Sequence, residues 1–393
     1  MLKSKVLISI SNYLPGYKIG GPLTSVSNMI DILGDEYDFS VVTSDRDMGD
    51  SRPYPDIPAD KWMKRGNHSV FYVSEGEFFF LRLIRIINKT PKDFLYLNSF
   101  FDPWFSIFLV IAKRIGLLNV PLIIIAPRGE MFSEALAFKS FKKSLYLTIS
   151  KIFGLYKKDI HWHATTEFEK ERIIAIMKVK PEKIKVAINL VRIGNEAIDR
   201  KCLFEEINQN TDIEALNVVY LARISKDKNI PFTLDVLKMV TVNVMFDIYG
   251  PIEDKYIWDI CLQKIKMLPA NIKVEYRGYA KRENVRSILA NYDLFFLPTF
   301  AENFGHSIVE SLLVGTPVLI SDRTPWRNLE KEGFGWDLSL DNPEHFARII
   351  NEIASPTKSQ RSSQRETIIN ASHRKFSGPF IIDQTKSLFK LTN

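Results

Sequence analysis

Short apolar runs rich in Val, Ile, Leu and Phe recur along this chain, bounded by polar turns and separated by stretches of helical periodicity. In the first half they read "KVLISIS", "FSVVTS", "SVFYV", "FLYLN", "PLIIIAP", "IHWHATT" and "IKVAIN". In the second they read "LNVVYLA", "VNVMFDIYG", "IKVEYRG", "DLFFLPT", "TPVLISD" and "GFGWDL". Continuous apolar strands alternating with helices indicate a parallel sheet covered on both faces, so each half is predicted to be a doubly wound α/β unit. The polar, weakly periodic stretch from Arg200 to Asn217 places a boundary near 195–215. The expected division is 1–205, 206–375 and a C-terminal helix over 376–393 able to pack back on the first domain. Ligands of doubly wound sheets bind outside the carboxyl ends of the strands, so function is expected between two such domains facing across a cleft.

Length and composition agree with that division, since 393 residues at 46% hydrophobic content exceed one core of usual size. Cys202 and Cys261 are the only cysteines, far apart and without metal-ligand spacing, which points to reduced thiols and a cytoplasmic protein. The apolar run after Lys3 and Lys5 is too short for a signal sequence and reads as the first buried strand. No run reaches the roughly 18 apolar residues a spanning helix needs.

Charge is uneven. Residues 1–200 carry 29 Lys+Arg against 22 Asp+Glu, residues 201–393 carry 24 against 24, and the window 78–158 carries 13 against 4. Cations interleaved with Phe, Leu, Ile and Trp suit a surface facing something anionic. From Ala137 to Lys158 a stripe of Phe138, Phe141, Leu145, Ile149, Ile152 and Tyr156 is expected to face the core, with its lysines outward. Together with Arg82, Arg85, Lys113 and Arg114 those lysines suggest attraction to anionic lipid, and peripheral association with the inner face of a membrane. Nucleic acid is not expected, because no aromatic-basic recognition motif is present. His161 and His163 share a strand face, yet no third ligand stands near them and no metal is expected.

The candidate chemistry lies mainly in the second half. After "DLFFLPT" a polar turn carries Glu302, Gly305 opens a helix, and Glu310 lies on that helix before the stop at "GTP". Carboxylates there suit sugar hydroxyls, whereas the backbone N–H groups of the helix start suit a phosphate. Upstream, "YLARISKDKN" puts Arg223 and Lys228 just past another strand, where two cations suit a diphosphate. Gly250 in "IYGPIED" and Gly278 in "YRGYAKRE" end two further strands where backbone can approach a ligand closely.

In this order, Arg223 and Lys228, Gly250, Gly278 and the Glu302–Glu310 block ending in "GTPV" resemble the donor-binding half of glycosyltransferase family 4, retaining enzymes of GT-B fold. In the first half "GYKIGGPLTSVSNMI" resembles the family's glycine loop and first helix, and "HATTEFEKERI" its last strand and helix. The resemblance implies transfer of a sugar from a nucleoside diphosphate sugar to a glycan hydroxyl, with a lipid-linked acceptor in cell-surface polysaccharide assembly. It implies that Glu310 accepts from the ribose hydroxyls and that Glu302 contacts the donor sugar. Arg223 and Lys228 would hold the diphosphate and stabilise the charge that grows on it. The backbone of Asn303, Phe304 and Gly305 would line sugar and phosphate, that near Tyr279 the base, and Gly20 and Gly21 would approach the phosphates from the other domain. No cofactor or metal is implied beyond the nucleotide-sugar donor.

One departure concerns "IIIAPRGEMF", where many relatives carry a histidine and this chain has Arg128 and Glu130. These two residues are acceptor-side candidates, with a structural ion pair between them as the alternative. Two rival functions keep the same residues: a nucleotide-sugar epimerase or hydrolase, which would consume donor without acceptor, and a non-catalytic sugar-nucleotide-binding subunit.

Overall fold

The computed structural model describes residues 3–132, 136, 140–156, 159–193, 215–355 and 358–390. The chain divides into two compact units, Met1–Arg192 with Gly378–Asn393, and Ile193–Ser377. The boundary expected near 195–215 falls almost wholly outside the described residues.

In the first unit the strands are β1 (Ser4–Ser9), β2 (Tyr37–Ser44), β3 (Trp62–Arg65), β4 (His68–Val73), β5 (Phe94–Leu97), β6 (Leu122–Ile125), β7 (Ile160–Ala164) and β8 (Ile184–Val186). They form one sheet in the order β3-β4-β2-β1-β5-β6-β7-β8. Every pairing is parallel except β3 with β4. β1, β5, β6 and β7 are apolar and buried along most of their length, as strands covered on both faces must be. Helices α1 (Gly21–Leu33), α2 (Phe79–Lys89), α3 (Phe108–Arg114), α4 (Ser140–Ile152) and α5 (Glu167–Met177) connect them. On one face of the sheet, buried residues of α2 to α5 join a single core around Phe100, Tyr156 and Trp162. On the other, α1 packs with the chain's last described segment, where the Phe389 ring stands 5.1 Å from Tyr37 and 5.7 Å from Phe94.

The second unit has β9 (Leu216–Leu221), β10 (Val244–Tyr249), β11 (Ile272–Gly278), β12 (Leu294–Leu297), β13 (Val318–Ser321) and β14 (Gly335–Leu338), all parallel, in the order β11-β10-β9-β12-β13-β14. Its helices are α6 (Ile230–Leu237), α7 (Lys255–Ile265), α8 (Val285–Ala290), α9 (His306–Leu313), α10 (Leu329–Glu332), α11 (Pro343–Ile353) and α12 (Lys358–Phe376), and α13 (Pro379–Ser387) returns to the first unit. Both units are thus Rossmann-like, as the alternation of runs predicts.

One expectation about a helix face is overturned. On α4 the side chains of Phe141, Leu145, Ile149 and Ile152 are exposed, while Leu147 and Ser150 are buried. The helix carries two apolar arcs, and the one that packs is set by the aromatic cluster beneath it. Tyr146 and Leu147 reach that cluster, Tyr146 standing 5.9 Å from Phe100 and bonding Tyr156 through the two hydroxyls. Tyr156 is buried as expected. Phe138 lies outside the described residues.

Candidate functional site

β9 ends at Leu221, and the chain then makes a short 3-10 turn over Lys226–Lys228 before α6. Ser225 Oγ donates to Asp227 Oδ1 at 2.6 Å and shapes this turn. The Asp227 carbonyl accepts from Phe300 N and from Thr299 Oγ1, both at 2.8 Å, so the loop after β9 is stitched to the loop after β12. Asn229, in left-handed backbone, adds a second tie by donating to the Pro298 carbonyl at 3.0 Å. These bonds bring residues 74 positions apart into contact: Lys228 Nζ donates to Glu302 Oε2 at 2.8 Å. Both side chains are largely enclosed, 12% and 16% exposed.

Around this pair lie Asp227, 3.3 Å from Lys228 Nζ and 3.9 Å from the Arg223 guanidinium, and Glu253, which pairs directly with Arg223. Burial works against the Lys228 ammonium, but the charges of Glu302 and Asp227 outweigh it and hold the lysine above its ordinary value. The Arg223 guanidinium is likewise opposed by burial and held up by Glu253 and Asp227. For Asp227 burial pushes upward, and Lys228, Ser225 and Arg223 together bring it below the usual carboxylate range. All five groups are charged, so the cluster is an ionic network of two cations, Arg223 and Lys228, and three carboxylates, Asp227, Glu253 and Glu302. Asp227 and Glu253 lie in stretches the sequence reading singled out, but their pairing with the cations depends on loop geometry.

The remaining second-unit candidates have separate surroundings. Gly305 caps α9 with φ 77°, and a Cβ there would stand 2.6 Å from Ile308 Cδ1 and 3.1 Å from Glu302 Cγ, so the glycine lets the helix start close on the glutamate. Phe304 is buried against Trp326, ring centroids 5.4 Å apart, and its carbonyl accepts from the Trp326 indole. Asn303 is half-buried in the same loop, and Tyr279 is exposed beyond Gly278. Gly250 has a reason of its own: a Cβ would fall 1.8 Å from the Ala222 carbonyl oxygen, so the close approach is to neighbouring backbone.

Glu310, half-buried on α9, has Arg286 and Arg282 as its charged neighbours; Lys228 and Arg223 are not among them. Burial pushes its carboxyl up from 4.5 to about 7, with the two arginines opposing. The folded chain therefore keeps a proton that the unfolded chain releases earlier. The stability this contributes is complete below the unfolded value and disappears as pH rises through about 7. Glu310→Gln is expected to remove this dependence and to stabilise the second unit above that pH by about 1–3 kcal/mol. Urea unfolding on the acid and alkaline sides of the window measures it.

In the first unit Gly20 caps α1 and Gly21 opens it. Arg128 follows β6 in left-handed backbone, φ 55°, and its guanidinium is held three ways. Nε donates to Asn98 Oδ1 at 2.8 Å, Nη2 to the Tyr96 hydroxyl at 2.8 Å, and Nη1 to Asn189 Oδ1. The Tyr96 hydroxyl in turn lies 2.6 Å from His163 Nδ1, and His163 Nε2 lies 2.7 Å from the Ala187 carbonyl. Burial and the Arg128 charge push His163 down to about 3, so the ring is neutral, donating from Nε2 and accepting the tyrosine proton at Nδ1. His161 instead meets Lys183 at 3.3 Å. Among the described residues no group of three or more His, Cys, Asp or Glu is arranged to hold a metal ion.

The ion pair considered between Arg128 and Glu130 is not formed. Glu130 accepts from Ser99 Oγ at 2.8 Å and from the backbone of Phe100 and Phe101 at 2.5 and 3.0 Å, because the turn after β5 presents those donors to it. The carboxylate beneath the Arg128 turn is Glu169, fully buried, accepting from Gly129 N at 2.6 Å and Thr165 N at 2.7 Å. Sequence reasoning missed Glu169, although Thr166 and Glu169 have capping-box spacing and the Thr166 side chain does accept from Glu169 N.

Comparison with known proteins agrees with this architecture. Residues 204–372 match the family model described as glycosyl transferases group 1. Over 329 residues the chain is 22% identical to an uncharacterized 41.2 kDa protein in the cps region of Klebsiella pneumoniae, covering 81% of this chain and 84% of that protein. Anabaena Alr3699/HepE, solved in complex with UDP and glucose, superposes with TM-score 0.69 at 16% identity, over 99% of this chain and all of that one. WaaG, a glycosyltransferase involved in lipopolysaccharide biosynthesis, superposes with TM-score 0.63 at 12% identity, over 99% of this chain and 100% of that one. The chain thus has the GT-B fold, and its residues 204–372 are similar to a glycosyl transferases group 1 domain.

Proposed function

We propose that this protein is a retaining, family 4 type glycosyltransferase that moves a sugar from a nucleoside diphosphate sugar to a hydroxyl of a lipid-linked glycan in cell-surface polysaccharide assembly. The observation that carries this reading is the enclosed contact of Lys228 with Glu302, flanked by Arg223, at the carboxyl ends of β9 and β12. In this reading the ammonium and guanidinium face the diphosphate and balance the negative charge that grows on it as the glycosidic bond breaks. Glu302 orients both Lys228 and the donor sugar, and Glu310 accepts from the ribose. Gly278, Tyr279, Asn303, Phe304 and Gly305 supply the remaining donor contacts in this reading. Because Glu253 already occupies Arg223, a diphosphate has to displace that carboxylate before it gains the full clamp. No metal is required in this reading, since two fixed cations do the charge balancing.

The acceptor side is assigned to Arg128, whose clamped guanidinium presents a fixed charge at the end of β6. The lipid-linked acceptor is supported by the cationic, aromatic composition of the first unit and by the relative from a cps region. The test is transfer of labelled sugar from a panel of UDP-, GDP-, ADP- and dTDP-sugars into a bacterial lipid extract, with EDTA present and the anomeric configuration of the product read by NMR. Retained configuration in a lipid-soluble product is expected. Nucleotide release at the same rate without any acceptor would favour a hydrolase, and donor binding without turnover a binding subunit.

A further inference from the structure

Helix α4 lies on the first unit with the wrong side out for a helix whose only role is packing. At about 100° per residue, Phe141, Leu145, Ile149 and Ile152 fall within an arc of about 80°, and Leu147 and Ser150 lie on the opposite side. The opposite side is the buried one. The outward arc continues past the helix end into Phe153, and Phe141, Ile152 and Phe153 are 79%, 74% and 73% exposed. Scattered exposed apolar residues need no explanation, but four large ones along one helix arc, continued by Phe153, do.

Neighbouring elements extend the same surface. Arg114 Nε donates to the Leu155 carbonyl at 2.7 Å, which ties the end of α3, with exposed Ile115 and Leu117, to the end of α4. Asn88 Nδ2 donates to the Leu117 carbonyl at 2.9 Å and brings in the end of α2. The three helices α2, α3 and α4 hold three, two and three Lys or Arg and not one Asp or Glu. Lys142 and Lys151 are exposed at the two edges of the α4 arc.

We infer that α4 is an interfacial helix that lays its outward arc among the acyl chains of an anionic lipid leaflet, with its edge lysines among the headgroups. Charge selects this occupant. Two copies of the chain meeting through this face would set the exposed Lys142 and Lys151 of one against those of the other with no Asp or Glu on α2, α3 or α4 to pair them, whereas a leaflet of negative headgroups neutralises them. The lysines alone would suit any polyanion. The apolar arc between them gains only from a medium that takes up hydrocarbon, the physics of a helix lying in the interface. No helix among the described residues is long and apolar enough to cross a membrane, so such contact is made from one side. The inference deepens the lipid-linked acceptor reading above and rests on it for its purpose, but the surface itself is argued independently of donor chemistry.

Flotation of the full chain with phosphatidylcholine vesicles, with and without phosphatidylglycerol, tests it. The wild-type chain is expected to float with the phosphatidylglycerol vesicles and to be only partly released by salt. The combined variant Phe141→Ser, Ile152→Ser and Phe153→Ser should bind them at least about tenfold more weakly, with an unchanged melting temperature. Lys142→Glu with Lys151→Glu should erase the preference for anionic vesicles. Failure of the wild-type chain to float, undiminished binding by the apolar variant, or a dimer that the apolar variant abolishes would each overturn the inference. Nucleotide-sugar binding by the apolar variant separates the two readings: vesicle binding without any donor binding to the wild-type chain would sink the transferase reading and leave this surface standing.

Discussion

Lys228→Ala is expected to lower kcat for sugar transfer by about 10²–10³-fold, the cost of removing one preorganised group that acts on transition-state charge. The loss should fall on kcat more than on donor KM, because the diphosphate carries most of its new charge only as the bond breaks. Steady-state rates at saturating acceptor measure it. Folding is not expected to be untouched. Glu302 and Asp227 lose the ammonium they face in an enclosed site, so the second unit should lose about 1–3 kcal/mol in urea unfolding. Lys228→Arg keeps the charge and should recover stability better than rate, because a planar guanidinium cannot reproduce a point charge seated against Glu302.

Gly250→Ala should produce the largest loss of stability, about 3 kcal/mol or more in the second unit. The added methyl would stand 1.8 Å from the Ala222 carbonyl oxygen, and the backbone there has φ 145°. Neither atom is the tip of a flexible side chain, so the ends of β9 and β10 would have to separate. Those ends lead into Arg223 on one strand and Glu253 on the other, which couples the packing of the glycine to the ionic network. Denaturation by urea, followed through the second unit's tryptophans, measures the effect. A variant of normal stability that no longer binds donor would instead mean that the glycine serves the ligand alone.

How far the sequence alone reaches can be judged from particular elements. All thirteen runs fall on strands, and the signal is plainest in β5, β6 and β12, because a strand buried on both faces must be apolar throughout. β3 was illegible for the opposite reason: "WMKR" is a four-residue edge strand, half-exposed, antiparallel to its neighbour and without an apolar run. The Lys228–Glu302 contact was legible as proximity, since both residues follow adjacent strands of one sheet, but its bond to Glu302 and the presence of Asp227 and Glu253 depend on turn geometry that no spacing encodes. The α4 error has the same root. Periodicity finds an apolar arc, but which of two arcs packs is decided by the aromatic cluster of distant residues beneath it. Arg128 shows the limit for polar residues. Its partners Tyr96, Asn98 and Asn189 come from the ends of β5 and from beyond β8, and only strand order brings them together.

The central claim is that the Arg223–Lys228–Glu302 network is a diphosphate clamp. Calorimetric titration of nucleoside diphosphate into the wild-type chain, Lys228→Ala and Arg223→Ala tests it without acceptor or turnover. The account predicts saturable binding to the wild-type chain and at least about tenfold weaker binding to each variant, the scale of a lost charge-assisted hydrogen bond. Equal affinity in all three proteins would contradict it.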